Sequence, residues 1–502
     1  MEGLSTILGY AAGAFSASGV FYCFIGVLTG TLVGVLPGLG PVAAISLLLP
    51  MTFGMTPSDA IILLAGIYYG SQYGGSTTAI LVRMPGEAAS VVTCIDGYKM
   101  ALKGRAGAAL GIAAFGSFIG GTVAVVGLML TAPVMAKAAL AFGPPEYFGL
   151  LLLGILLVTS LSTDPPVKAG IMATIGLMAG TVGVDLISGE NRFTMGALSL
   201  ADGIGISIAA IGMFGVGEVL SNLTSRETKP ALVATKIKGL LPNREDWRRA
   251  SKPIARGTII GFLLGVLPGA GAVISSLVSY AVEKKRSKNP EEFGEGAIEG
   301  VAGPETANNA ATAGAFVPLL SLGLPANAVM AVLLGALQIH GVQPGPTFIS
   351  DYPGLFWSII ASMYLGNVML LILNLPLIGL WVQMLRLSYT MLFPIIFICC
   401  IVGAYSISNN KADILIMAVL GVAAFVLRAL EYDVSPFIFG LVLSPLMENA
   451  FRQSMLMSRG SLLIFLERPI TLSLMSVAVV LLLYPLWASR RSKRDGAIPT
   501  GT

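Results

Sequence analysis

Long apolar runs recur along the chain, and short polar stretches separate them. Each run has about 20 residues, the length at which a helix spans about 30 Å of hydrocarbon. The pattern predicts an all-α polytopic membrane protein, because a helix satisfies its own backbone hydrogen bonds in lipid. Predicted spans beyond the first hundred residues are 106–131, 147–161, 167–187, 203–220, 355–380, 388–406, 414–430, 435–450 and 472–486.

Composition supports this class and excludes others. The 502 residues are 55% hydrophobic and 11% charged, with a mean hydropathy of +0.84, whereas soluble domains are about 25% charged. The single histidine, His340, excludes histidine-cluster metal sites, and the four cysteines lack C-x-x-C spacing. The net charge of +4 falls in loops and does not indicate nucleic-acid binding. We therefore expect no enzyme activity, metal or organic cofactor.

One apolar motif occurs twice. GVLPGLG covers residues 34–40 and GVLPGAG covers residues 265–271, 231 positions later. Proline lacks a backbone donor and glycine tolerates positive φ, so the chain can reverse direction at each motif. The motifs predict the tips of two re-entrant hairpins, at about 24–54 and at 257–282. Close helix packing is the alternative explanation for the small residues around them.

Loop charge predicts the side of the membrane for each hairpin. Residues 225–256 carry nine Lys or Arg and three acidic residues, and the tail at 490–494 reads RRSKR, so both are expected to be cytoplasmic. The second hairpin has basic flanks on both sides, but the first has none, which favours entry from opposite faces. The chain then divides into an N-terminal half (1–224), a linker or arm (225–256) and an inverted C-terminal half (257–502).

A second interrupted segment follows each hairpin. The predicted broken helices, 59–84 and 303–340, carry hydroxyl and amide groups inside apolar sequence and precede MPGE or GLPAN. Polar groups at this depth are costly and therefore indicate a binding site between two halves. No Lys or Arg lies between residues 68 and 78 or between 302 and 327. Arg83 and Glu87, which flank MPG, are expected to be interface anchors.

The motifs GVLPGLGPVAAISLLLP, YGGSTTAILVRMPGE, GVLPGAGAVISS, GPETANNAA and SLGLPAN resemble the large membrane subunit of the tripartite tricarboxylate transporter family over essentially the whole chain. The resemblance implies a bacterial inner-membrane permease, and the basic tail predicts that its C-terminus is cytoplasmic. Its expected partners are a small membrane subunit, a periplasmic solute-binding protein and a carboxylate substrate, with a homodimer as a further expectation. It also implies symport with Na⁺ or H⁺, without a bound cofactor.

Carboxylate capture is expected at the hairpin tips and polar patches, where helix N-termini and neutral donors meet an anion. The hairpins and broken helices form one unit, which predicts an elevator-like movement. Glu305 is a candidate cation ligand, and pairing with a loop cation is its alternative. The predicted substrate-binding residues are Pro37, Gly38, Gly40, Ser71, Gln72, Gly75, Ser76, Thr77, Thr78, Pro268, Gly269, Gly271, Thr306, Asn308, Asn309 and Thr312, and the predicted cation-binding residues are Glu305 and Asn308.

Two other functions remain compatible with the sequence. A channel-like pore between the hairpins would carry gradient-limited flux without saturation. A scaffold subunit without its own substrate site would need neither polar patch. Broken polar segments in both halves favour a transporter over these two alternatives.

Overall fold

The computed structural model describes residues 9–36, 40–162, 165–185, 187–224, 237, 239–385 and 389–494. These residues are almost entirely helical, and the chain divides into two compact units. Unit 1 comprises Met1–Lys137 and Gly205–Leu430, and unit 2 comprises Ala138–Ile204 and Glu431–Thr502. The two units interleave along the chain, so they do not coincide with the predicted halves 1–224 and 257–502. The repeat halves describe symmetry rather than compactness, and they remain a prediction.

Unit 1 holds most of the helices. Its helices are α1 (Ala17–Val35), α2 (Pro41–Leu48), α3 (Pro57–Val82), α4 (Thr93–Leu102), α5 (Ala106–Ala139, whose last two residues fall in unit 2), α8 (Ile206–Thr224, π-helical over Ile211–Val216), α9 (Arg244–Val266), α10 (Gly271–Arg286), α11 (Glu299–Gly314), α12 (Phe316–Leu322), α13 (Ala328–Ile339), α14 (Pro353–Asn374), α15 (Ile378–Met384), α16 (Tyr389–Ser408) and α17 (Lys411–Ala429). Short 3-10 turns lie at Ala12–Phe15, Leu49–Thr52, Ala88–Val91 and Pro290–Glu292, and one helical turn at Phe348–Asp351.

Unit 2 contains α6 (Pro144–Ser160), α7 (Pro166–Ala179), α18 (Ser435–Met457), α19 (Pro469–Arg494) and a single turn at Ile464–Glu467. The predicted span 167–187 ends earlier than expected, at Ala179. A two-stranded antiparallel sheet follows, with β1 (Gly183–Val184) paired to β2 (Asn191–Arg192), before a 3-10 turn at Leu198–Leu200.

Ion pairs within unit 2 fix this β-hairpin. Arg192 pairs with Glu448 at 2.7 Å, and Arg452 pairs with Asp185 at 2.9 Å. Backbone and side-chain hydrogen bonds, first from the Ile187 amide and then from neighbouring groups including Arg452, lower the pKa of the Asp185 carboxyl. The charged side chains near the end of α18 therefore pair with residues of the same unit.

Five described helices are long and apolar enough to cross a membrane: Ala17–Val35, Ala106–Ala139, Ile206–Thr224, Pro353–Asn374 and Lys411–Ala429. Shorter apolar helices accompany them, including Pro144–Ser160, Pro166–Ala179 and Ala328–Ile339. The chain is therefore an all-α, multi-pass membrane protein, as the hydropathy pattern predicts.

Glycines allow two helix pairs in unit 1 to approach until their backbones touch. A Cβ on Gly30 of α1 would lie 2.8 Å from the Ile67 Cα in α3, and a Cβ on Gly261 of α9 would lie 2.7 Å from the Ala307 Cα in α11. Gly30 and Gly261 are 231 positions apart, like the two GVLPG motifs. The glycines before each motif thus serve close helix packing, and the same packing occurs twice.

The second LPG motif joins two helices that pack against each other. Helices α9 and α10 form a helical hairpin, and residues 267–270 connect them. Gly269 has φ 84° and Gly271 has φ 53°, both in the left-handed region that glycine tolerates. At the first motif, residues 37–39 lie outside the described residues, and with them the predicted contacts Pro37 and Gly38.

The first interrupted segment differs from its prediction. Helix α3 is continuous through the polar patch from Pro57 to Val82, so the chain does not break within 59–82. Its glycines pack against α1 without disturbing the helix. The break instead follows at Arg83, whose φ of 59° ends the helix. In the second segment α12 ends at Gly323, with φ 71°, and α13 begins at Ala328.

Candidate functional site

Each chain break in unit 1 lies against the hairpin segment that precedes it. A Cβ on Gly86 would collide with the Gly34 carbonyl at the end of α1. In the second half, the Gly269 amide donates to the Ala326 carbonyl at 2.9 Å. A side chain at position 86 would therefore separate the two segments at the first break.

The residue that follows each break caps the next helical segment. The Glu87 carboxylate accepts a hydrogen bond from the Ala89 amide at 2.8 Å, and the Asn327 side chain accepts one from the Met330 amide at 3.0 Å. Arg83 and Gly323, the two left-handed residues, stand 240 positions apart, and so do Glu87 and Asn327. The local geometry of the two breaks is therefore the same.

Two matched hydrogen bonds join the N-terminal and C-terminal halves. The polar side chains around these bonds, which include Tyr68, Glu87, Asn308 and Asn327, are called the polar centre. Asn308 of α11 donates to Glu87 at 3.1 Å, and Asn327 donates to the Tyr68 hydroxyl of α3 at 2.8 Å. Tyr68 and Asn308 are again 240 positions apart. Each capping side chain therefore reaches the long helix of the other half. The helix elements repeat this exchange, since α10 contacts the turn Ala88–Val91 and α13 contacts α2.

Gln72 completes the first of these contacts. With its amide oriented to match its neighbours, its nitrogen donates to the Asn308 oxygen at 2.6 Å and to Glu87 at 3.0 Å. Both Gln72 and Glu87 are buried. The Glu87 carboxylate is thus held by two amide side chains and one backbone amide, all neutral. Glu87 does not act as the expected interface anchor, whereas Arg83 is exposed and lies 5.9 Å from the Tyr98 ring centre.

Glu305 occupies a second neutral environment one helical turn away. Ser76 of α3 donates to one carboxylate oxygen at 2.5 Å, and Thr93 of α4 donates to the other. Among the described residues Glu305 has no ion pair, so no loop cation provides the alternative partner considered from the sequence. A buried carboxylate without a basic partner is costly when ionised, unless a proton or cation balances it.

Asn309 links this centre to α5. Its amide donates to Ser117 at 2.7 Å and to the Glu305 carbonyl at 3.1 Å. Two cavities of about 10 Å³ border the same region, one beside Asn309 and one beside Ser76, Thr77 and Ser117. Each has room for about one water molecule. Neither of these two cavities has room for a carboxylate substrate.

Several predicted hydroxyl donors are already engaged. Ser71, Thr306 and Thr312 donate to carbonyls three or four residues earlier in their own helices, at 2.7 to 3.1 Å. Thr78 donates to the Val35 carbonyl of α1 at 2.8 Å, which is not its own helix. These groups stabilise the helix framework in this arrangement.

The predicted helix N-termini lie at the hairpin tips. Gly40 precedes α2 and Ala270 precedes α10, and neither start has a side-chain cap. Pro268 and Gly269 lie in the connection before α10, and Gly271 begins it. The backbone amides in an uncapped first turn can donate hydrogen bonds to an anion. Gly75 meets the Glu87 side chain, because a Cβ there would lie 2.8 Å from the Glu87 Cγ.

Sequence reasoning missed Glu87, Thr93, Ser117 and Asn327 as members of the polar centre. Glu87 and Asn327 belong to the quoted motifs MPGE and GLPAN. Alignment of these two motifs with each other would have identified both as equivalent positions. Thr93 lies at the mixed polar and apolar start of α4, and Ser117 lies within the apolar α5, and no sequence signal separates either from packing residues.

Comparison with known proteins identifies the family. Residues 20–439 match the tripartite tricarboxylate transporter TctA family. The chain belongs to this family. It is 51% identical over 482 residues, 96% of each chain, to the "Uncharacterized 52.8 kDa protein in TAR-I ttuC' 3'region" of Agrobacterium vitis. It is also 53% identical over 235 residues to the "Uncharacterized protein in TAR-II ttuC' 3'region" of Agrobacterium vitis, covering 47% of this chain and 97% of that protein. No solved structure matches the chain.

Membership in the TctA family makes the chain the large membrane component of a tripartite tricarboxylate transporter, as the sequence motifs predicted. A tripartite system implies partner subunits and a binding protein. The match spans both GVLPG motifs and both chain breaks of the TctA-family chain. Its polar centre lies within the matched region.

Proposed function

We propose that this chain carries out secondary active uptake of a carboxylate across the bacterial inner membrane. A periplasmic binding protein would deliver the substrate, and a gradient of Na⁺ or H⁺ would drive uptake. Citrate, another tricarboxylate or a related organic acid is the expected substrate class. The C-terminus is proposed to be cytoplasmic because of its basic tail.

The matched exchange of hydrogen bonds is the observation that carries the proposal. Asn308 binds Glu87, and Asn327 binds Tyr68, so each half contributes a cap to the other. Such a pairing fits an inverted repeat with its binding site between the halves. A scaffold subunit would have no need for matched polar groups of which three, Tyr68, Glu87 and Asn308, are buried, because their burial costs free energy.

The centre supports anion binding by neutral donors. Uncapped helix starts after residues 40 and 270, together with the amides of Asn308 and Asn309, can donate to carboxylate oxygens. Neutral donors hold an anion more loosely than a bidentate arginine does, which favours release after transport. The proposed movement is elevator-like, with the two hairpins and the polar helices α3 and α11 shifting together.

The buried carboxylates support ion coupling. Glu305 receives hydrogen bonds only from hydroxyl groups among the described residues. A proton or a Na⁺ ion would balance its charge, and Asn308, one turn further along α11, is the second proposed ligand. Because the carboxylate is buried at 1% exposure, loading the ion would stabilise the closed arrangement.

Counterflow and gradient-driven uptake in proteoliposomes test the proposal. The full chain would be reconstituted with its small subunit and binding protein, using radiolabelled citrate and related acids. We expect the Asn308→Ala/Asn309→Ala variant to lose both activities, while the exposed control Asn289→Ala keeps both. We expect Glu305→Gln to retain counterflow but lose accumulation against a gradient. Full activity of the Asn308→Ala/Asn309→Ala variant, or unsaturable flux without counterflow, would contradict the proposal.

A further inference from the structure

A basic cavity of about 560 Å³ lies at the polar end of the α9–α10 hairpin. The proposed transport cycle does not use it. Six cations line the cavity: Arg248, Arg249, Lys252, Arg256, Arg286 and Lys288. A concave surface with this charge attracts anions.

Each glutamate that lines the cavity already has an arginine partner. Glu245 pairs with Arg248 at 2.8 Å, and Glu299 pairs with Arg249 at 2.7 Å. Glu283 pairs with an arginine of the facing helix, as described below. The acidic residues therefore neutralise three arginines and leave the other cations of the cavity without compensation.

Three cations remain for a ligand. Lys252, Arg286 and Lys288 are exposed and form no ion pair with any described residue. They come from α9, from the end of α10 and from the loop that follows. Their convergence on one cavity gives a site for a group with more than one negative oxygen, such as a phosphate.

The cavity continues into an exposed apolar surface on α9. Lys252, Arg256, Ile259 and Leu263 follow one another at intervals of four, three and four residues, so they lie on one face of the helix. Ile259 is 61% exposed and Leu263 is 60% exposed. One helix face thus changes from cationic to apolar within about 6 Å of helix length.

The hairpin places this change at the level of a membrane surface. Arg256 of α9 forms an ion pair with Glu283 of α10, so both helices leave the apolar zone at the same height. From Arg256 to the end of α9 at Val266 is about 15 Å, roughly half of the hydrocarbon thickness. The cations therefore lie where lipid phosphates lie, and the apolar face lies where acyl chains lie.

We propose that this cavity binds the phosphate headgroup of an anionic phospholipid, with an acyl chain along Ile259 and Leu263. The continuity of cationic and apolar surface favours a lipid over a soluble phosphate, which would use only the cations. A bound lipid would tether the hairpin to the bilayer surface and so influence its movement.

Native mass spectrometry of the full chain in detergent tests this site. The probes are phosphatidylglycerol, phosphatidylcholine of the same acyl chains, and glycerol 3-phosphate. The variant Lys252→Gln/Arg286→Gln removes two uncompensated cations from the cavity. The matched control Lys284→Gln/Lys285→Gln removes two exposed cations of α10 that do not line it.

We expect the native chain to retain phosphatidylglycerol in preference to phosphatidylcholine. Each cation near a lipid surface changes affinity about fivefold, so the cavity variant should bind phosphatidylglycerol about 25-fold more weakly and the control should bind as the native chain does. Equal retention of both lipids, or equal losses in both variants, would overturn the proposal. Glycerol 3-phosphate binding as tightly as phosphatidylglycerol would overturn the lipid assignment in favour of a soluble phosphate.

Discussion

Asp96 of α4 gives the sharpest single test of how the polar helices are positioned. Its side chain is completely buried. One oxygen accepts hydrogen bonds from the amides of Gly294, Gly296 and Ala297 at 2.8 to 2.9 Å, and the other accepts the Tyr280 hydroxyl at 2.9 Å. The loop at 294–297 leads directly into α11, which carries Glu305 and Asn308. Asp96 therefore fixes the start of that helix against the segment after the first break.

The hydrogen bonds set the size of the expected effect. Asp96→Ala would leave three amides without their acceptor, and each lost bond costs about 1 kcal/mol once water partly replaces the carboxylate. The local opening free energy of the loop should therefore fall by about 3 kcal/mol, which speeds amide exchange about 150-fold. Asp96→Asn keeps one acceptor oxygen. Its local opening free energy should therefore fall by only about 1 kcal/mol, which speeds amide exchange about fivefold.

Hydrogen–deuterium exchange with mass spectrometry measures this effect at residues 294–297. The control is Asp59→Ala, which removes a half-buried carboxylate at the start of α3, distant in sequence from the loop, and should leave the loop unchanged. Exchange in Asp96→Ala within twofold of the native rate would refute the reasoning, because the loop would then be ordered without the carboxylate. Equal acceleration in both variants would also refute it, since the effect would not be local.

Two further outcomes follow from packing and charge. Gly261→Ala places a Cβ 2.7 Å from the Ala307 Cα and should destabilise the chain by about 1 to 3 kcal/mol, whereas Gly154→Ala in α6, with open space around it, should be neutral or slightly stabilising in thermal unfolding. The Arg249 hydrogen bond lowers the pKa of Glu292 from its ordinary value of 4.5; this pair therefore stabilises the fold above that pH and is lost as pH falls through the lowered pKa. On acidification, the free energy of unfolding should therefore fall less for Glu292→Gln than for the native chain. The same pH dependence of unfolding in both proteins would contradict this.

The fold class was predictable because hydropathy needs no tertiary information. Apolar runs of spanning length set the helix positions. The boundary predicted from charge, between the arm 225–256 and the hairpin 257–282, does not interrupt the helix, because α9 runs from Arg244 to Val266. Within the predicted broken helix 59–84, the break lies at Arg83 and not among the glycines of the polar patch, for a physical reason. Glycine-rich sequence suggests interruption, but the glycines of α3 face α1 and allow close packing, so the helix continues to Val82.

The candidate site was predictable only where chemistry was concentrated in a motif. Asn308 and Glu305 were found because GPETANNAA places polar groups in apolar sequence, and the structure puts both in the polar centre. Thr93 and Ser117 were missed because their role depends on helices that approach from elsewhere in the chain. The hydrogen-bond state of Ser71 and Thr306 also required coordinates, since the same hydroxyl can serve its own helix or a ligand.

The matched contacts between the halves carry different chemistry, and this difference locates the proposed ion. Glu87 and Asn327 occupy equivalent capping positions, and their partners Asn308 and Tyr68 are equivalent in turn. The Asn308–Glu87 contact thus contains a carboxylate, whereas the Asn327–Tyr68 contact is neutral. Glu305 lies one turn from Asn308 on the same helix, so both carboxylates of the centre lie on the Asn308 side. Because the carboxylates of the polar centre lie on this side and would need a balancing charge when ionised, we propose that a coupling ion would bind there rather than on the Tyr68 side.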